Sequence, residues 1–179
     1  MEWEKKSAGV AAERERRQKL QLATVAIVQP GEMQSERDFN EQGEDSSPDR
    51  VMGRAARRGR NWFSFDLPVD ASHPMAVMIT CSSDERRKRT FDILVEGQPV
   101  REPAVENQGS PRGIIGGTTT ISNSAAIPRG EPRFFDVEFA VPASLTSDKQ
   151  RVTVRLQAAG GNEIAAVFGI RMIRADAAR

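Results

Sequence analysis

From Asn61 onward apolar residues recur at every second position, the spacing that turns one face of an extended chain toward a core. Phe63, Phe65 and Leu67 alternate with Ser64 and Asp66, and Phe91, Ile93 and Val95 with Asp92, Leu94 and Glu96. Phe135, Val137, Phe139 and Val141 alternate with Asp136, Glu138 and Ala140, and Val152, Val154 and Leu156 with Thr153 and Arg155. Between Met75, Val77, Ile79 and Cys81 stand Ala76, Met78 and Thr80, a less polar set that predicts a central strand covered on both faces. A last run places Phe168, Ile170 and Met172 on one face. Turn residues such as Gly97-Gln98-Pro99 separate these segments. Thr24 to Val28, β-branched and stopped by Pro30-Gly31, adds one more strand, for about seven in all. No long amphipathic helix lies between them, which disfavours a parallel βαβ sheet and predicts an all-β fold: an antiparallel, jelly-roll-like β-sandwich with a short N-terminal helix.

That helix is read at residues 10–22, where Ala, Glu, Arg, Lys, Gln and Leu dominate and the apolar positions make only a narrow face; Ser7 and Gly9 weaken its start. From Glu32 to Arg60 the chain is nearly all polar or charged and is expected to be a long loop or irregular wrapping segment. The stretch from about 107 to 132 is rich in Gly, Ser, Thr and Pro with no sustained period and reads as a long surface loop, within which Ile114-Ile115 and Thr118 to Ile121 fit a short hairpin. The expected organisation is a helix or connector over 1–22, an irregular lead-in over 23–60 and the β-sandwich over 61–177.

Composition narrows the partners. In 179 residues, 26 Lys and Arg face 25 Asp and Glu, so the formal charge of +1 provides no field for nucleic acid or an anionic membrane. Cys81 is the single cysteine, which rules out an internal disulfide framework and a multi-thiolate zinc site. No run reaches the ~20 apolar residues of a membrane-spanning helix, and the first residues show no signal-peptide pattern, so the chain as it stands is expected to be cytoplasmic.

Candidate chemistry is sparse. Glu36, Asp38, Glu41, Glu44, Asp45 and Asp49 supply carboxylates that could pair for glycosidic acid/base work or take calcium, but their spacing matches no calcium loop, and solvated charge is the simpler reading. His73, the only histidine, precedes Pro74 and reads as a turn residue; Cys81 falls on the apolar face of its strand and reads as a small core hydrophobe. Neither Cys81 nor any Ser lies in a nucleophile elbow. Two basic runs, Arg54 to Arg60 and Arg86 to Arg89, are expected to be solvated or salt-bridged, and Gly113, Gly116 and Gly117 form no phosphate loop. Trp62 is the one aromatic suited to binding: a sugar stacks its apolar ring face on an indole while Arg60 and Asn61 satisfy hydroxyls. The expectation is therefore no catalytic residue, no metal and no cofactor, with Trp62, Arg60 and Asn61 as a candidate carbohydrate site.

The blocks WFSFDLPVDASHPMAVMIT (62 to 80), DERRKRTFDILVEGQPV (84 to 100), RFFDVEFAVPASL (133 to 145) and GGNEIAAVFGIRMIRADA (160 to 177), preceded by ATVAIVQPGEMQSERDFNEQGEDS (23 to 46), resemble the C-terminal β-sandwich of bacterial glycoside hydrolase family 127 proteins, the β-L-arabinofuranosidase-like group. The similarity covers most of residues 20 to 177 in matching order, through packing and turn motifs. In that family the chemistry belongs to an upstream helical barrel whose cysteines and glutamate hold zinc; none of it is in this sequence, and Cys81 matches no catalytic motif. The stretch from about Gly113 to Gly130 is longer than the family pattern. The resemblance implies a non-enzymatic accessory module that packs on and stabilises a glycoside hydrolase catalytic domain, in cis in the family and in cis or in trans here. The alternative is a stand-alone carbohydrate-binding module. The two differ in surface: docking calls for a contiguous apolar patch, sugar binding for a groove with one exposed aromatic.

Overall fold

The computed structural model describes residues 2–83, 85, 89–100, 112–115, 118–121 and 134–177. In chain order its elements are α1 (Glu2–Ala23), β1 (Thr24–Val28), α2 (Met33–Asp38), β2 (Gln42–Val51), β3 (Arg54–Pro68), β4 (Met75–Ser82), β5 (Arg89–Val95), β6 (Gln98–Pro99), β7 (Arg112–Ile115), β8 (Thr118–Ile121), β9 (Phe134–Val141), β10 (Arg151–Ala158), β11 (Ile164–Val167) and β12 (Gly169–Arg174). All pairings are antiparallel. A four-stranded sheet runs β1-β12-β4-β9, and an eight-stranded sheet runs β11-β3-β10-β5-β8-β7 with β2 on β3 and β6 on β5.

The period-two faces meet between the sheets. Phe63, Phe65, Leu67, Phe91, Ile93 and Val95 from the larger sheet pack with Val77, Ile79, Cys81, Val137, Ile170 and Met172 from the smaller in one buried cluster. The result is the two-sheet sandwich expected, with the core where the alternation places it. On the back of the smaller sheet Ala76 and Ile173 are covered by Ala23 and Leu20 at the end of α1, which is why β4 is apolar on both faces. The expected hairpin in the 107–132 stretch is β7 paired with β8; the rest of that stretch lies outside the described residues.

Several elements differ from the sequence expectation. The helix begins at Glu2 rather than near residue 10 and passes through Ser7 and Gly9. The Ser7 hydroxyl donates to the Glu4 carbonyl inside the helix, and Glu2 and Glu4 favour its positive N-terminal end, which offsets the glycine cost of about 1 kcal/mol. The segment 32–60, expected to be irregular, is α2 followed by the hairpin β2–β3. Its polar composition is that of an edge: among the described residues β2 pairs only with β3, and it keeps most side chains in solvent, so no buried face imposes alternation. Pro48 sits in it for the same reason. The hairpin turns on Met52 and Gly53, both with positive φ (52° and 74°), the two-residue geometry that matches strand twist. Finally, Phe168 falls between β11 and β12 and packs with Ala56 and Ala166, apart from Ile170 and Met172.

The segment after β1 fastens the two sheets together. The Gln29 amide donates to the Phe168 carbonyl at 2.7 Å and to the Ala55 carbonyl at 3.3 Å. Gly31, at φ +87°, lies so close to β3 that a Cβ there would meet the Ala56 oxygen at 2.4 Å and nitrogen at 2.8 Å. Its N–H donates to Glu36 Oε1 at 2.7 Å, and the same carboxylate accepts from Arg57 Nε at 2.9 Å. Arg57 Nη2 also reaches Glu41 Oε1 at 3.1 Å, and Nη1 reaches Ser46 Oγ at 3.4 Å. Arg57 is only 6% exposed, so its charge is balanced inside the protein rather than by water.

Two outcomes follow from this contact. Gly31→Ala combines left-handed strain with a backbone clash and is expected to destabilise by well over 1 kcal/mol, whereas Gly53→Ala, with open space around it, is expected to cost only the roughly 1–2 kcal/mol of the strain. Equal losses in urea unfolding would remove the clash from the account. Arg57→Ala leaves Glu36 and Glu41 without their buried counter-charge and is expected to lower unfolding free energy by roughly 3–5 kcal/mol. A loss below about 1 kcal/mol would mean that water reaches the carboxylates.

Candidate functional site

Residues opposite each other across an antiparallel pair share a face, so register shows what surrounds Trp62. Trp62 faces Gln157 on β10 and Glu44 on β2; one step along, Ser64 faces Arg155 and Gln42; farther across, Gln157 faces Asp92 on β5. All lie on the side of the larger sheet away from the core, because Phe63 and Phe65 point inward. Trp62 is half-buried, and the Arg155 guanidinium lies over its ring at 4.1 Å from the centroid. Among the described residues the buried Arg155 Nε has no hydrogen-bond acceptor, and the negative face of the indole takes the place of one. Beyond this stack, Asp66 accepts from the Thr153 hydroxyl at 2.7 Å and the Asn40 amide at 2.8 Å, which holds the polar surface in place. Glu96 at its margin accepts from Lys149 and from the Thr153 N–H, and both bonds pull its carboxyl below the ordinary range.

Arg60 stands in a different setting. Between Glu44 and Ser46 the β2–β3 register slips, and there a cavity of about 360 Å³ opens, lined by Asp45, Ser46, Ser47, Arg58, Gly59, Arg60 and Glu163. Arg60 and Glu163 pair across it at 3.4 Å. Behind it Arg58 binds Asp49 at 2.8 Å and Glu85 at 3.0 Å, and Arg89 binds Glu85 at 3.3 Å and also bonds Glu163. Glu85, 3% exposed, further accepts the Ala166 N–H at 2.9 Å. Burial works against the charge of Arg58, but the carboxylates of Glu85 and Asp49 outweigh it and raise its pKa.

The three sequence candidates are thus neighbours in the chain but not in one cavity: Arg60 lines the pocket, Trp62 lies on the stacked outer face, and Asn61 is exposed between them. Sequence reasoning missed Arg155, Gln157 and Glu163. Arg155 occupies a polar position in the alternation of Val152 to Leu156, so its outward direction was legible, but its place beside Trp62 depends on β10 pairing with β3, which alternation does not specify.

Several of the remaining candidates are engaged within the fold. Cys81 is fully buried in the core. Glu36 and Glu41 neutralise Arg57, and Asp49 neutralises Arg58. Among the described residues no group of three His, Cys, Asp or Glu is placed to hold a metal ion. The first basic run is salt-bridged as expected, apart from Arg54, which stacks on Phe134 at 4.1 Å; of the second run Arg89 is described and the others lie outside the described residues. His73 sits in a turn between Asp176, 3.2 Å from Nδ1, and Asp70, 3.7 Å from Nε2. Ser72 Oγ donates to Asp70 at 2.5 Å, not to the imidazole, so this is a clamp rather than a nucleophile and base.

Asp70 also accepts from Arg174 Nε at 2.8 Å, tying the β3–β4 turn to the end of β12. The Ser72 hydroxyl, then Arg174, hold its carboxyl well below the usual range. A lowered folded pKa adds stability that is complete above the unfolded value of about 4 and is lost as pH falls from there toward the folded value. Asp70→Asn is therefore expected to melt lower than the parent at neutral pH, with the gap closing below about pH 4. A gap that stays constant down to the acid limit would exclude this linkage.

No curated protein matches the sequence. Among solved structures the chain is similar to a family 35 carbohydrate-binding module from Clostridium thermocellum, at 11% identity and TM-score 0.49 over 84% of this chain and 98% of that one. It is also similar to the CBM36-1 domain of a multidomain xylanase from the hindgut metagenome of Trinervitermes trinervoides, at 13% identity and TM-score 0.46 over 82% and 94%. A third is CsCBM6-3 from Clostridium stercorarium, in complex with cellobiose, at 11% identity and TM-score 0.44 over 84% and 94%. One family model matches, over residues 19–127, which takes in the end of α1, the β2–β3 hairpin and the strand that bears Trp62. On that match, the chain belongs to the family of unknown function DUF6805.

Proposed function

We propose that this chain is a glycan-binding β-sandwich module with no hydrolytic chemistry of its own, and that its binding face is the outer surface of the larger sheet around Trp62. One observation carries the reading: an indole and a guanidinium stacked at 4.1 Å, framed in register by Gln157, Glu44, Gln42 and Asp92. A sugar ring has an apolar C–H face and a rim of hydroxyls that both donate and accept. A flat aromatic edge bordered by amides, carboxylates and a guanidinium complements both features at once. The near-neutral charge favours an uncharged ligand over a polyanion.

In this proposal Arg60 and its pocket extend the face toward Glu163, with Asn61 between the two surfaces. The module serves a glycoside hydrolase, as the family 127 resemblance implies, by packing on and stabilising a catalytic domain carried in the same chain or a separate one. The Asp70–Ser72–Arg174 clamp and the Arg57 cluster give such a domain the rigid platform that a shallow site needs.

The test is affinity electrophoresis of the 179-residue chain in gels containing neutral plant polysaccharides, arabinan and arabinoxylan among them. Retardation is expected, with Trp62→Ala weakening binding at least tenfold, about 1.4 kcal/mol, and Arg155→Ala weakening it less. Migration unaffected by every glycan, or retardation that survives Trp62→Ala in a folded protein, would remove this face as the site.

A further inference from the structure

The outward positions around Trp62 continue in one direction and stop in the other. Along β3 the line through Trp62 is cut on both sides. Ser64, the next outward residue, is only 4% exposed, and in the opposite direction the register with β2 slips between Trp62 and Gly59. Across the strands the line is unbroken: Glu44 on β2 pairs with Trp62 on β3, Trp62 with Gln157 on β10, and Gln157 with Asp92 on β5. Residues in register stand side by side on one face. Phe63, Leu156 and Phe91, the chain neighbours of the last three, are fully buried in the core, which puts Trp62, Gln157 and Asp92 on the outer side. Glu44 is exposed and the other three are half-buried. Among the described residues β2 is the edge at this level, so the row runs out to solvent at Glu44.

We infer that the ligand is an extended oligosaccharide segment lying across the strands along this row, perpendicular to β3, so that three to four consecutive sugar units are held at once. This rests on the reading of the Trp62 face as a glycan site and adds the direction and length of the ligand. Neighbouring strands lie ~4.8 Å apart, close to the length of one sugar unit in a chain, so the row from Glu44 to Asp92 spans ~14 Å in steps that match successive units. One ring stacks on the indole. The unit toward β2 gives a hydroxyl to Glu44, and those toward β5 meet the amide of Gln157, which donates and accepts, and then the carboxylate of Asp92. The cost of immobilising the ligand as a body is met once, while each added unit brings further contacts, so affinity rises with chain length until the row is filled. A ligand running along β3 would gain little past its first ring, because buried Ser64 on one side and the register slip on the other leave no continuing row.

Isothermal titration of the 179-residue chain with a series of oligosaccharides, disaccharide to hexasaccharide, cut from a polysaccharide that retards it in the gel tests this. Affinity is expected to rise at least fivefold from the disaccharide to the tetrasaccharide and to level off beyond it. Glu44→Ala and Gln157→Ala are each expected to weaken the tetrasaccharide at least threefold, and by more than they weaken the disaccharide, a split that a general loss of folding does not produce. Arg60→Ala, the change that a ligand running along β3 would feel most, is expected to weaken the tetrasaccharide less than either. Far-UV circular dichroism checks that each variant keeps its fold. A disaccharide bound as tightly as the tetrasaccharide, or a loss in Arg60→Ala larger than in both Glu44→Ala and Gln157→Ala, overturns the inference and leaves the Trp62 face standing as a glycan site. A chain that no polysaccharide retards overturns the glycan reading itself and this inference with it.

Discussion

A strand held between two neighbours must pair its backbone on both edges, because amides removed from water tolerate no vacancy. β3, fifteen residues long, meets that condition with three partners: β2 pairs one edge from Arg54 to Ser64, while β11 takes the other at Arg57 to Gly59 and β10 from Trp62 to Pro68. The hand-over between β10 and β11 coincides with the slip in the β2 register, since the two partners meet β3 on either side of residues 60 and 61. A bulge there re-aims side chains. The outer face at Trp62 and the pocket at Arg60 are therefore two results of one constraint, on successive stretches of a single strand.

The other end of β3 has to reconcile its partners with a buried cation. Arg57 could have been an apolar residue, since a buried ion pair rarely adds stability over a packed hydrophobe. Its effect is positional. By holding Glu36 from α2, Glu41 ahead of β2 and, through Glu36, the N–H of Gly31, it fixes the route by which the chain leaves β1 and enters the larger sheet. The planar fork of the guanidinium suits this, because several acceptors in one plane define an orientation that a single ammonium would not.

The sequence made the sandwich core legible because burial on one face leaves a period of two in the residues themselves: Phe63, Phe65, Phe91, Ile93, Val152 and Val154 are all fully or almost fully buried. It concealed β2 for the complementary reason. An edge strand with both faces largely wet is held by backbone hydrogen bonds, which leave no composition signal beyond the turn at Met52-Gly53. The same limit applies to the candidate site. Trp62 and its outward direction could be read from Phe63 and Phe65, but Arg155 lies nearly a hundred residues away, and only strand order brings it onto the indole. Local alternation encodes the face a residue occupies; its neighbours on that face are a property of topology.

The charge balance takes on meaning only at this level. Lys and Arg nearly equal Asp and Glu in the whole chain, which would be unremarked if the charges were scattered through solvent. Here they are segregated. Arg57, Arg58 and Arg89 are consumed by Glu36, Glu41, Asp49, Glu85 and Glu163 in the framework beside β3, while Arg155 faces an indole instead of a carboxylate. A guanidinium spent on an aromatic face keeps its planar, amphipathic character without forming a strong point of attraction for anions. The consequence is a face that offers shape and hydrogen bonds of both polarities rather than a net charge, which is the complement that the proposed neutral polyhydroxylated ligand would need.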